Sequence, residues 1–324
     1  MASRATMNEL AAWLKAHDDF VLLGHVNPDG DATGSTMAMM LALRNMGKRA
    51  YVCLPGGMPK MYSMFHAADE AVSPEDVQPF TAKAAFALDT SEELRLGSAG
   101  ALFADCETRA VLDHHETNPG FGDVCVVDGA RIACGELVLE LIEALGAKVT
   151  KEIAEWLYIA ISTDSGHFSY GGTNAATMNA AGRLIAAGAD VPELTRELYH
   201  TRTRARTQLL GVVLAELEVS DDGKMAWARA TEEMMKRTGA TSEDKEGIVN
   251  YLLEIEGVEF AALAEERGAS VKFSLRSKQT LDVAGQVAVP LGGGGHRCAA
   301  GCTLNMYIDE ALETVLAKAR KALN

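Results

Sequence analysis

The sequence predicts an α/β protein of two domains, in which the first domain is a parallel sheet with helices on both faces. Short apolar runs alternate with helix-like stretches along the first part of the chain, as at residues 84–88 and 134–145. This alternation is typical of a parallel sheet that is covered on both sides. The length of 324 residues exceeds the usual size of a single hydrophobic core, and it therefore indicates a second domain.

The predicted strands are brief apolar runs bounded by polar or turn residues, at residues 20–25, 51–54, 84–88, 109–112 and 124–127. The predicted helices of the same domain cover residues 33–45, 134–145, 151–162, 174–187 and 191–199. Gly47 stands just after the first of these helices, where a C-cap favours glycine. Ligands of parallel sheets bind beyond the carboxyl ends of the strands. Polar residues at those ends are therefore expected to converge.

Aspartate and histidine are concentrated where apolar runs of the first domain end. A single aspartate after a strand is more often a turn former or a helix N-cap than a metal ligand. The joint occurrence of such segments in one α/β domain instead predicts a metal site. Carboxylates and imidazoles suit hard or borderline divalent cations such as Mn²⁺ or Mg²⁺. The residues concerned are His25, Asp29, Asp31, Asp89, Asp113, His114, His115 and Asp164.

The character of the chain changes at about Thr201. Residues 201–222 begin with a basic, polar stretch that runs into an apolar one, and we interpret them as a connecting helix or linker. The basic stretch is short and lacks interleaved aromatic residues, which favours a solvated linker face over a nucleic-acid patch. Residues 1–200 are then the metal-binding domain. Residues 223–324 form a smaller α/β domain, with predicted strands at 259–264 and 270–276 and a glycine-rich loop at 292–295.

Composition limits the partners and the compartment. The net charge of −15 opposes non-specific binding to long duplex DNA, but it is compatible with a small anionic substrate in a local metal-rich pocket. The six cysteines are scattered, with no C-x-x-C pair, as in proteins of a reducing compartment. No stretch has the apolar core of a signal peptide or the length of a membrane span. We therefore expect a cytoplasmic protein without membrane contact.

The order of these motifs resembles a known family. The series H-x-N-P-D-G-D, D, D-H-H and T-D-S-G resembles the four N-terminal motifs of the DHH phosphoesterase superfamily. The tract G-G-G-G-H-R-C-A-A-G, with S-L-R-S upstream, resembles the DHHA1 substrate-binding domain. The resemblance covers nearly the whole chain and is greatest to the oligoribonuclease and pAp-phosphatase group. Departures from the family pattern are minor. Ser165 stands where threonine is common in the family, and residues 133–136 contain fewer Ser and Thr residues than the usual family segment.

The resemblance implies a site for two divalent cations, which would be Mn²⁺, with Mg²⁺ or Co²⁺ as alternatives. One cation would be held by His25, Asp29 and Asp89, and the other by Asp31, Asp89, His114 and Asp164, with Asp89 bridging. The charges of these four carboxylates would balance those of two divalent cations. A phosphate ester would then need positive charge from other residues.

Two residues flank His114 in the D-H-H motif. We interpret His115 as a group that faces the phosphate, as a donor or as the acid for the leaving oxygen. Asp113 would fix the nearby geometry by hydrogen bonds.

Substrate contacts are expected in the second domain. Arginine can form bidentate bonds to phosphate that lysine cannot duplicate. Glycines allow backbone N–H groups to approach a phosphate, although a flexible turn is the alternative reading of such a tract. The residues expected to bind the substrate phosphate are Arg276, Gly293, Gly294, Gly295 and His296.

The resemblance also implies the reaction. It points to hydrolysis of short oligoribonucleotides to mononucleotides and to removal of the 3′-phosphate from pAp, by an enzyme that forms a homodimer. An alternative is a stand-alone phosphodiesterase acting on c-di-AMP or on a linear dinucleotide. A non-catalytic nucleotide sensor is a further alternative. Degenerate enzymes usually lose ligands, however, and here every ligand position holds a competent residue.

Overall fold

The computed structural model of the protein describes residues 5–278 and 280–323, without the side chains of Glu243 and His296. The chain folds as two compact units, whose border lies between His200 and Thr201. Among the described helices, none combines the length and the apolar composition that a bilayer crossing requires.

The first unit contains the predicted parallel sheet. Its strands are β1 Phe20–Leu23, β2 Ala50–Cys53, β3 Ala84–Leu88, β4 Thr108–Asp113 and β5 Val124–Val127. They lie in the order β2-β1-β3-β4-β5, and every neighbouring pair is parallel. Each strand lies within two residues of its predicted position.

The helices of the first unit are α1 Met7–Ala16, α2 Gly30–Asn45, α3 Gly100–Asp105, α4 Cys134–Ala144, α5 Lys151–Asp164, α6 Ala175–Ala186 and α7 Val191–Thr195. Helix α2 begins three residues before its predicted start, because Asp29 caps its first turn. Helix α7 is shorter than the predicted helix 191–199, and a π-helical turn continues it from Arg196 to His200. Helix α1 was not among the predicted elements.

Both faces of this sheet are buried, which explains the uninterrupted apolar strands. Leu22, Phe86 and other alternate residues belong to a core cluster with α1, α2, α4 and α5. Val21 and Ala85, which point to the other face, belong to a smaller cluster with Phe103 of α3. Successive side chains of a strand point to opposite faces, so a strand buried on both sides needs apolar residues throughout.

The strand order places a crevice at the carboxyl ends of β1 and β3. The chain leaves β1 for β2 on one side of it and returns to β3 on the other. In open α/β sheets, ligands bind at such a switch point. The loop of residues 24–29 follows β1, and Asp89 directly follows β3.

Helices α2 and α5 pack against each other at glycines. A Cβ at Gly34 would overlap the backbone oxygen of Trp156 and lie 2.9 Å from the Cβ of Ala160. A Cβ at Gly30 would overlap the side chain of Thr163. This close approach brings the start of α2 beside the end of α5, and hence Asp31 beside Asp164.

The second unit is a mixed sheet with helices. Its strands are β6 Glu218–Val219, β7 Met225–Ala230, β8 Phe260–Arg267, β9 Ser270–Ser277, β10 Gly294–His296 and β11 Ala299–Leu304, in the order β10-β11-β9-β8-β7-β6. Its helices are α8 Arg204–Ala215, α9 Glu232–Thr238, α10 Ile248–Leu253 and α11 Ile308–Leu323. The smaller α/β architecture predicted for this part of the chain is confirmed.

Helix α8 lies in the segment that we interpreted as a connection. Its residues Leu209 and Val213 are fully buried in a core cluster of the second unit. The basic residues beside it are engaged locally, since Arg202 donates to the hydroxyl of Tyr251 at 2.6 Å and Arg206 donates to the carbonyl of Glu246 at 2.8 Å. The helix is therefore a part of the second unit.

The glycine contact between α2 and α5 generates a stability prediction. We expect Gly34→Ala to lower the free energy of unfolding by about 1–3 kcal/mol, because the added methyl group would force two helix backbones apart. Urea denaturation followed by circular dichroism measures this change. The matched control is Gly182→Ala in α6, where a Cβ would meet nothing within 4 Å. That variant should gain about 0.5–1 kcal/mol. Equal stability of the two variants would contradict the close contact.

Candidate metal centre

The six predicted ligands come together beyond the carboxyl ends of the strands in the first unit. Their ligand atoms form two groups, His25–Asp29–Asp89 and Asp31–His114–Asp164, and within each group the atoms lie within 4.8 Å of one another. A further group of the same kind joins Asp89 and His114 to His115.

His25 lies in the loop after β1 and is almost fully buried. Its Nδ1 is 2.9 Å from the carbonyl oxygen of Val26, and its Nε2 is 3.6 Å from a carboxylate oxygen of both Asp29 and Asp89. A hydrogen on Nδ1 that is donated to Val26 leaves the lone pair of Nε2 directed at the carboxylates. This is the arrangement of a histidine that binds a cation through Nε2.

Asp29 acts both as a helix cap and as a member of the cluster. Its Oδ1 accepts hydrogen bonds from the backbone N–H groups of Asp31 and Ala32, at 3.1 Å each. Its Oδ2 faces His25. The cap interpretation and the ligand interpretation of this aspartate are therefore compatible, because each carboxylate oxygen has its own task.

Asp31 is fully buried at the start of α2. It accepts hydrogen bonds from the N–H groups of Cys134 at 2.5 Å and Gly135 at 2.9 Å, and from the hydroxyl of Ser35 at 3.0 Å. Both N–H groups belong to the first turn of α4, where a helix stabilises negative charge. Helix α4 thus holds this carboxylate in place.

Asp89 lies at the centre of the cluster. It is 2 % exposed and has a φ of 52°, a left-handed conformation that is strained for a residue other than glycine. Its Oδ1 is buried and takes part in no hydrogen bond of regular geometry within the described ranges, although Nε2 of His114 lies 3.3 Å away. A buried carboxylate oxygen without a donor is unfavourable unless a positive charge compensates it.

His114 connects Asp89 with the other end of the cluster. Its Nδ1 is 3.2 Å from the carbonyl oxygen of Arg131. Its Nε2 is 3.3 Å from Asp89, 3.4 Å from Asp164 and 3.8 Å from Asp31. As in His25, a backbone carbonyl orients the ring so that Nε2 faces the carboxylates.

The ionisation of the cluster shows how strongly its charges interact. Burial lowers the pKa of His25 and His114, but hydrogen bonds and charges from the carboxylates outweigh it and raise these pKa values to about 10 and about 11. Burial and the charge of Asp89 raise the pKa of Asp31 and bring that of Asp164 to about 7. Burial opposes the ionisation of Asp89, but the nearby imidazoles of His114 and His25 lower its pKa well below the ordinary value.

The donor set fits divalent cations. Oxygen or nitrogen ligands lie about 2.0–2.2 Å from a small divalent cation, and ligands at about 90–120° to each other are then about 3.0–3.6 Å apart. The separations of 3.3 to 3.8 Å between the imidazole Nε2 atoms and the carboxylate oxygens are close to this range. A cation would give the buried Oδ1 of Asp89 a closer partner than Nε2 of His114 at 3.3 Å.

His115 and Asp113 form a hydrogen-bonded chain beside the cluster. The Nδ1 of His115 lies 2.8 Å from Oδ1 of Asp113, and Oδ2 of Asp113 accepts a hydrogen bond of 2.7 Å from Asn118. Asp113 is fully buried and directs both oxygens at these two residues. The chain fixes the orientation of the His115 ring.

Sequence reasoning missed Asn118. Its amide donates to the carbonyl of Thr90 at 3.1 Å as well as to Asp113, and its Oδ1 accepts from Gly120 at 2.8 Å. It therefore connects the segment that carries Asp89 with the one that carries His115. Nothing in its residue type or spacing distinguishes it from an ordinary turn asparagine.

The residues predicted to bind phosphate lie on two strands of the second unit, the edge strand β10 with the residue before it and the inner strand β9. Arg276 is half-buried on β9, where Ala261 of β8 and Ala299 of β11 are its cross-strand neighbours. Residues 294–296 form strand β10 rather than a continuous loop, because they pair with residues 299–301 of β11. The side chain of His296 lies outside the described part of the structure.

Gly293, Gly294 and Gly295 differ in whether neighbouring atoms leave room for a side chain. A Cβ at Gly293 would lie 2.6 Å from the Cβ of Cys302, and one at Gly295 would lie 2.5 Å from the oxygen of Ala299. Both glycines are therefore required by the packing on β11. A Cβ at Gly294 would meet nothing within 4 Å, so packing does not explain this glycine.

Comparison with family models matches each unit separately. Residues 19–161 match the N-terminal domain of the DHH family, and residues 224–324 match the DHHA1 domain. The first match contains His25, Asp29, Asp31, Asp89 and His114, and it ends three residues before Asp164.

Full-length relatives carry both parts. The chain is 33% identical over 321 residues to the bifunctional oligoribonuclease and PAP phosphatase NrnA of Thermus thermophilus, covering 98% of this chain and 94% of the relative. It is 26% identical over 306 residues to the protein of the same name from Bacillus subtilis, covering 94% of each.

Solved structures share the fold. An exopolyphosphatase-related protein of Bacteroides fragilis aligns with a TM-score of 0.92 at 26% identity, covering 97% of this chain and 95% of that chain. The exonuclease RecJ bound to manganese aligns with a TM-score of 0.55 at 16% identity, over 98% of this chain and 95% of that one, and shares the fold alone. The chain therefore belongs to the DHH phosphoesterase family, as a member with a C-terminal DHHA1 domain.

Proposed function

We propose that this enzyme hydrolyses the phosphodiester bonds of short oligoribonucleotides, releasing mononucleotides, and that it also removes the 3′-phosphate from pAp. Two lines of support are independent. The first is the cluster of carboxylates and imidazoles, whose chemistry suits the hydrolysis of phosphate esters. The second is that relatives covering nearly the whole chain are named for these two activities.

Asp89 provides the observation that carries the proposal. A buried carboxylate lies between two imidazoles, its backbone is strained, and one of its oxygens takes part in no regular hydrogen bond within the described residues. Strain and unsatisfied burial persist where a function requires them. On this proposal, Asp89 would be the ligand that two cation sites share.

We assign the two sites as the family resemblance implies. His25, Asp29 and Asp89 would hold one divalent cation, and Asp31, Asp89, His114 and Asp164 would hold the other. The cations would be Mn²⁺, with Mg²⁺ or Co²⁺ as alternatives, because the donors are oxygen and imidazole nitrogen without thiolate. Bound there, two divalent cations lower the pKa of water and neutralise charge that develops on the phosphate.

His115 is the residue that we assign to proton transfer. Hydrolysis bonds a water oxygen to phosphorus and breaks the bond to the leaving ribose oxygen, which must take up a proton. The Nδ1 of His115 is engaged by Asp113, so its Nε2 is the nitrogen able to donate to that oxygen. Asp113 and Asn118 act as positioning residues for the ring.

The two parts of the chain would divide the work. We assign cation binding and hydrolysis to residues 1–200 and substrate binding to residues 223–324, with residues 201–222 as a connecting segment whose helix packs into the second unit. In the last part, Arg276, Gly293–Gly295 and His296 would contact the substrate phosphate or ribose. Arginine on a strand beside a glycine-rich edge offers both a guanidinium and accessible N–H groups to a phosphate.

The proposal includes the setting in which the enzyme works. The net charge of −15 favours small substrates over long duplex DNA, and the scattered cysteines favour the cytoplasm. A homodimer is also part of the proposal. Helix α6 supports it with an exposed apolar stripe, in which Met178 is 54% and Ile185 is 52% exposed, with Gly182 between them.

A panel of substrates tests the function. We expect the Mn²⁺-loaded protein to release mononucleotides from 5′-labelled RNA dimers and pentamers, to dephosphorylate pAp, and to leave pyrophosphate largely intact. Asp89→Asn should reduce turnover by more than about 100-fold. Replacing a residue that only hydrogen-bonds to a metal ligand already lowers activity by about 10–100-fold, and replacing a ligand itself should cost more. Preferential cleavage of c-di-AMP would favour a cyclic-dinucleotide phosphodiesterase, and inactivity on the entire panel would favour a sensor.

The same variant provides a test that does not depend on turnover. Saturation with Mn²⁺ at about 100 times its dissociation constant should stabilise the wild-type protein by about 2.7 kcal/mol. Asp89→Asn should lose this gain in thermal unfolding. The exposed carboxylate of Asp69 supplies the matched control, Asp69→Asn, which should keep both the gain and the activity.

The assignment of His115 predicts a separation of turnover from cation content. We expect His115→Ala to reduce kcat by about 10²–10⁴-fold, the usual contribution of a general acid, at an unchanged Mn²⁺ content. Asn118→Ala should have a smaller effect of about 10–100-fold. Elemental analysis of the dialysed proteins measures the cation content. Loss of one cation from His115→Ala would instead make His115 a ligand.

The glycine tract predicts contrasting effects at neighbouring positions. We expect Gly294→Ala to raise the KM for short RNA by about 10-fold at unchanged thermal stability. The added methyl group would keep the phosphate away from the backbone N–H, which amounts to the loss of one hydrogen bond to a charged group. Gly293→Ala should instead lower the free energy of unfolding by about 1–3 kcal/mol, because the methyl group would overlap β11. An unchanged KM in Gly294→Ala would argue against phosphate binding by this backbone.

A further inference from the structure

We propose that Arg95 binds a phosphate group of the substrate at the His25 side of the cluster, an assignment that rests on the hydrolytic function proposed above. Four carboxylates and two divalent cations leave the centre near neutrality, so an anionic ester needs an additional cationic group. Within the described part of the first unit, Arg95 is the arginine whose side chain contacts a proposed ligand, with its Nη2 at 3.3 Å from Nδ1 of His25.

This contact does not satisfy the guanidinium. The Nδ1 of His25 lies closer to the carbonyl oxygen of Val26, at 2.9 Å, and a nitrogen that donates its hydrogen to Val26 has no lone pair left for Arg95. No carboxylate forms an ion pair with Arg95 among the described residues, and its side chain is exposed. The donors of Arg95 therefore remain available to an external acceptor.

Arg95 and the most exposed of the carboxylates that face His25 contact the same imidazole ring. Asp31 and Asp89 are buried, whereas the side chain of Asp29 is 54% exposed. Asp29 is the neighbour of His25 in the same group of ligands. Asp29 lies 3.6 Å from Nε2 of His25 and the guanidinium lies 3.3 Å from Nδ1, so the long, exposed Arg95 side chain has only one imidazole ring to pass to reach a phosphate bound beside Asp29. Arginine binds two phosphate oxygens at once, and such charge-assisted bonds are about twice as strong as neutral ones.

The backbone, and not the guanidinium, holds this segment in place. The carbonyl of Arg95 accepts a hydrogen bond of 2.7 Å from the N–H of Val26. Gly97 has φ 54° and ψ −129°, and a Cβ there would overlap the side chain of Val26. Glycine is thus required for the approach of residues 95–97 to the loop after β1. Truncation of the Arg95 side chain leaves these contacts intact, so the variant should fold.

Orthophosphate is the probe for this site. We expect calorimetric titration of the Mn²⁺-loaded protein to show about 10- to 100-fold weaker orthophosphate binding by Arg95→Ala than by the wild-type protein. The orthophosphate affinity of Arg95→Lys should lie between the two, because lysine keeps the positive charge but cannot bind two phosphate oxygens at once as a guanidinium does. For the short RNA dimer, KM should rise in Arg95→Ala by a similar factor. The control is Arg49→Ala, which removes an exposed arginine at the opposite end of the sheet.

The outcomes separate the possible roles of Arg95. Equal orthophosphate affinity in the wild-type and Arg95→Ala proteins would overturn the proposal. A lower Mn²⁺ content in Arg95→Ala would also overturn it, because Arg95 would then serve to orient His25. If the wild-type protein cleaved none of the substrates in the panel, the proposed function would fail, while the orthophosphate titration would still decide whether Arg95 binds phosphate.

Discussion

Repulsion among four carboxylates is the constraint to which the first unit is adapted. Asp31, Asp89 and their neighbours lie so close together that the ionisation of one raises the pKa of another. The fold opposes this repulsion with fixed groups: the first turn of α4 donates to Asp31, and two imidazoles face Asp89. A carboxylate at the C-terminal end of α5 is disfavoured by the helix dipole, yet Asp164 stands there. Such a concentration of unfavourable features indicates a site built around cations.

The packing of the first unit also brings the proposed ligands together. Glycines at positions 30 and 34 let α2 and α5 approach until their backbones touch, which no larger residue would permit. The switch point of the sheet places the segments after β1 and β3 side by side. The proposed ligands therefore come from four separate segments of the chain, and backbone contacts orient several of them, as with Val26 for His25 and Arg131 for His114.

The sequence predicted the elements of the first sheet and the members of its cluster, because apolar runs and the polar residues that end them are local signals. It did not predict Asn118 or Arg95, since an asparagine in a turn and an exposed arginine acquire their roles only through contacts between distant segments. Strand β10 was missed for a related reason, because a run of glycines has no strand pattern and pairs only when β11 is present. The start of α2 at Gly30 was also missed. It depends on the N-cap formed by Asp29, whose other carboxylate oxygen faces His25.

The chain order of the ligands has a consequence for biosynthesis. Every proposed ligand precedes Ser165, so all of them leave the ribosome before any residue of the second unit does. Domains generally fold as units, the N-terminal one first, during synthesis. The first unit also buries its own core clusters, without residues from beyond position 200. A nascent chain therefore carries the complete set of proposed ligands, in a unit with its own core, before the second unit has been made.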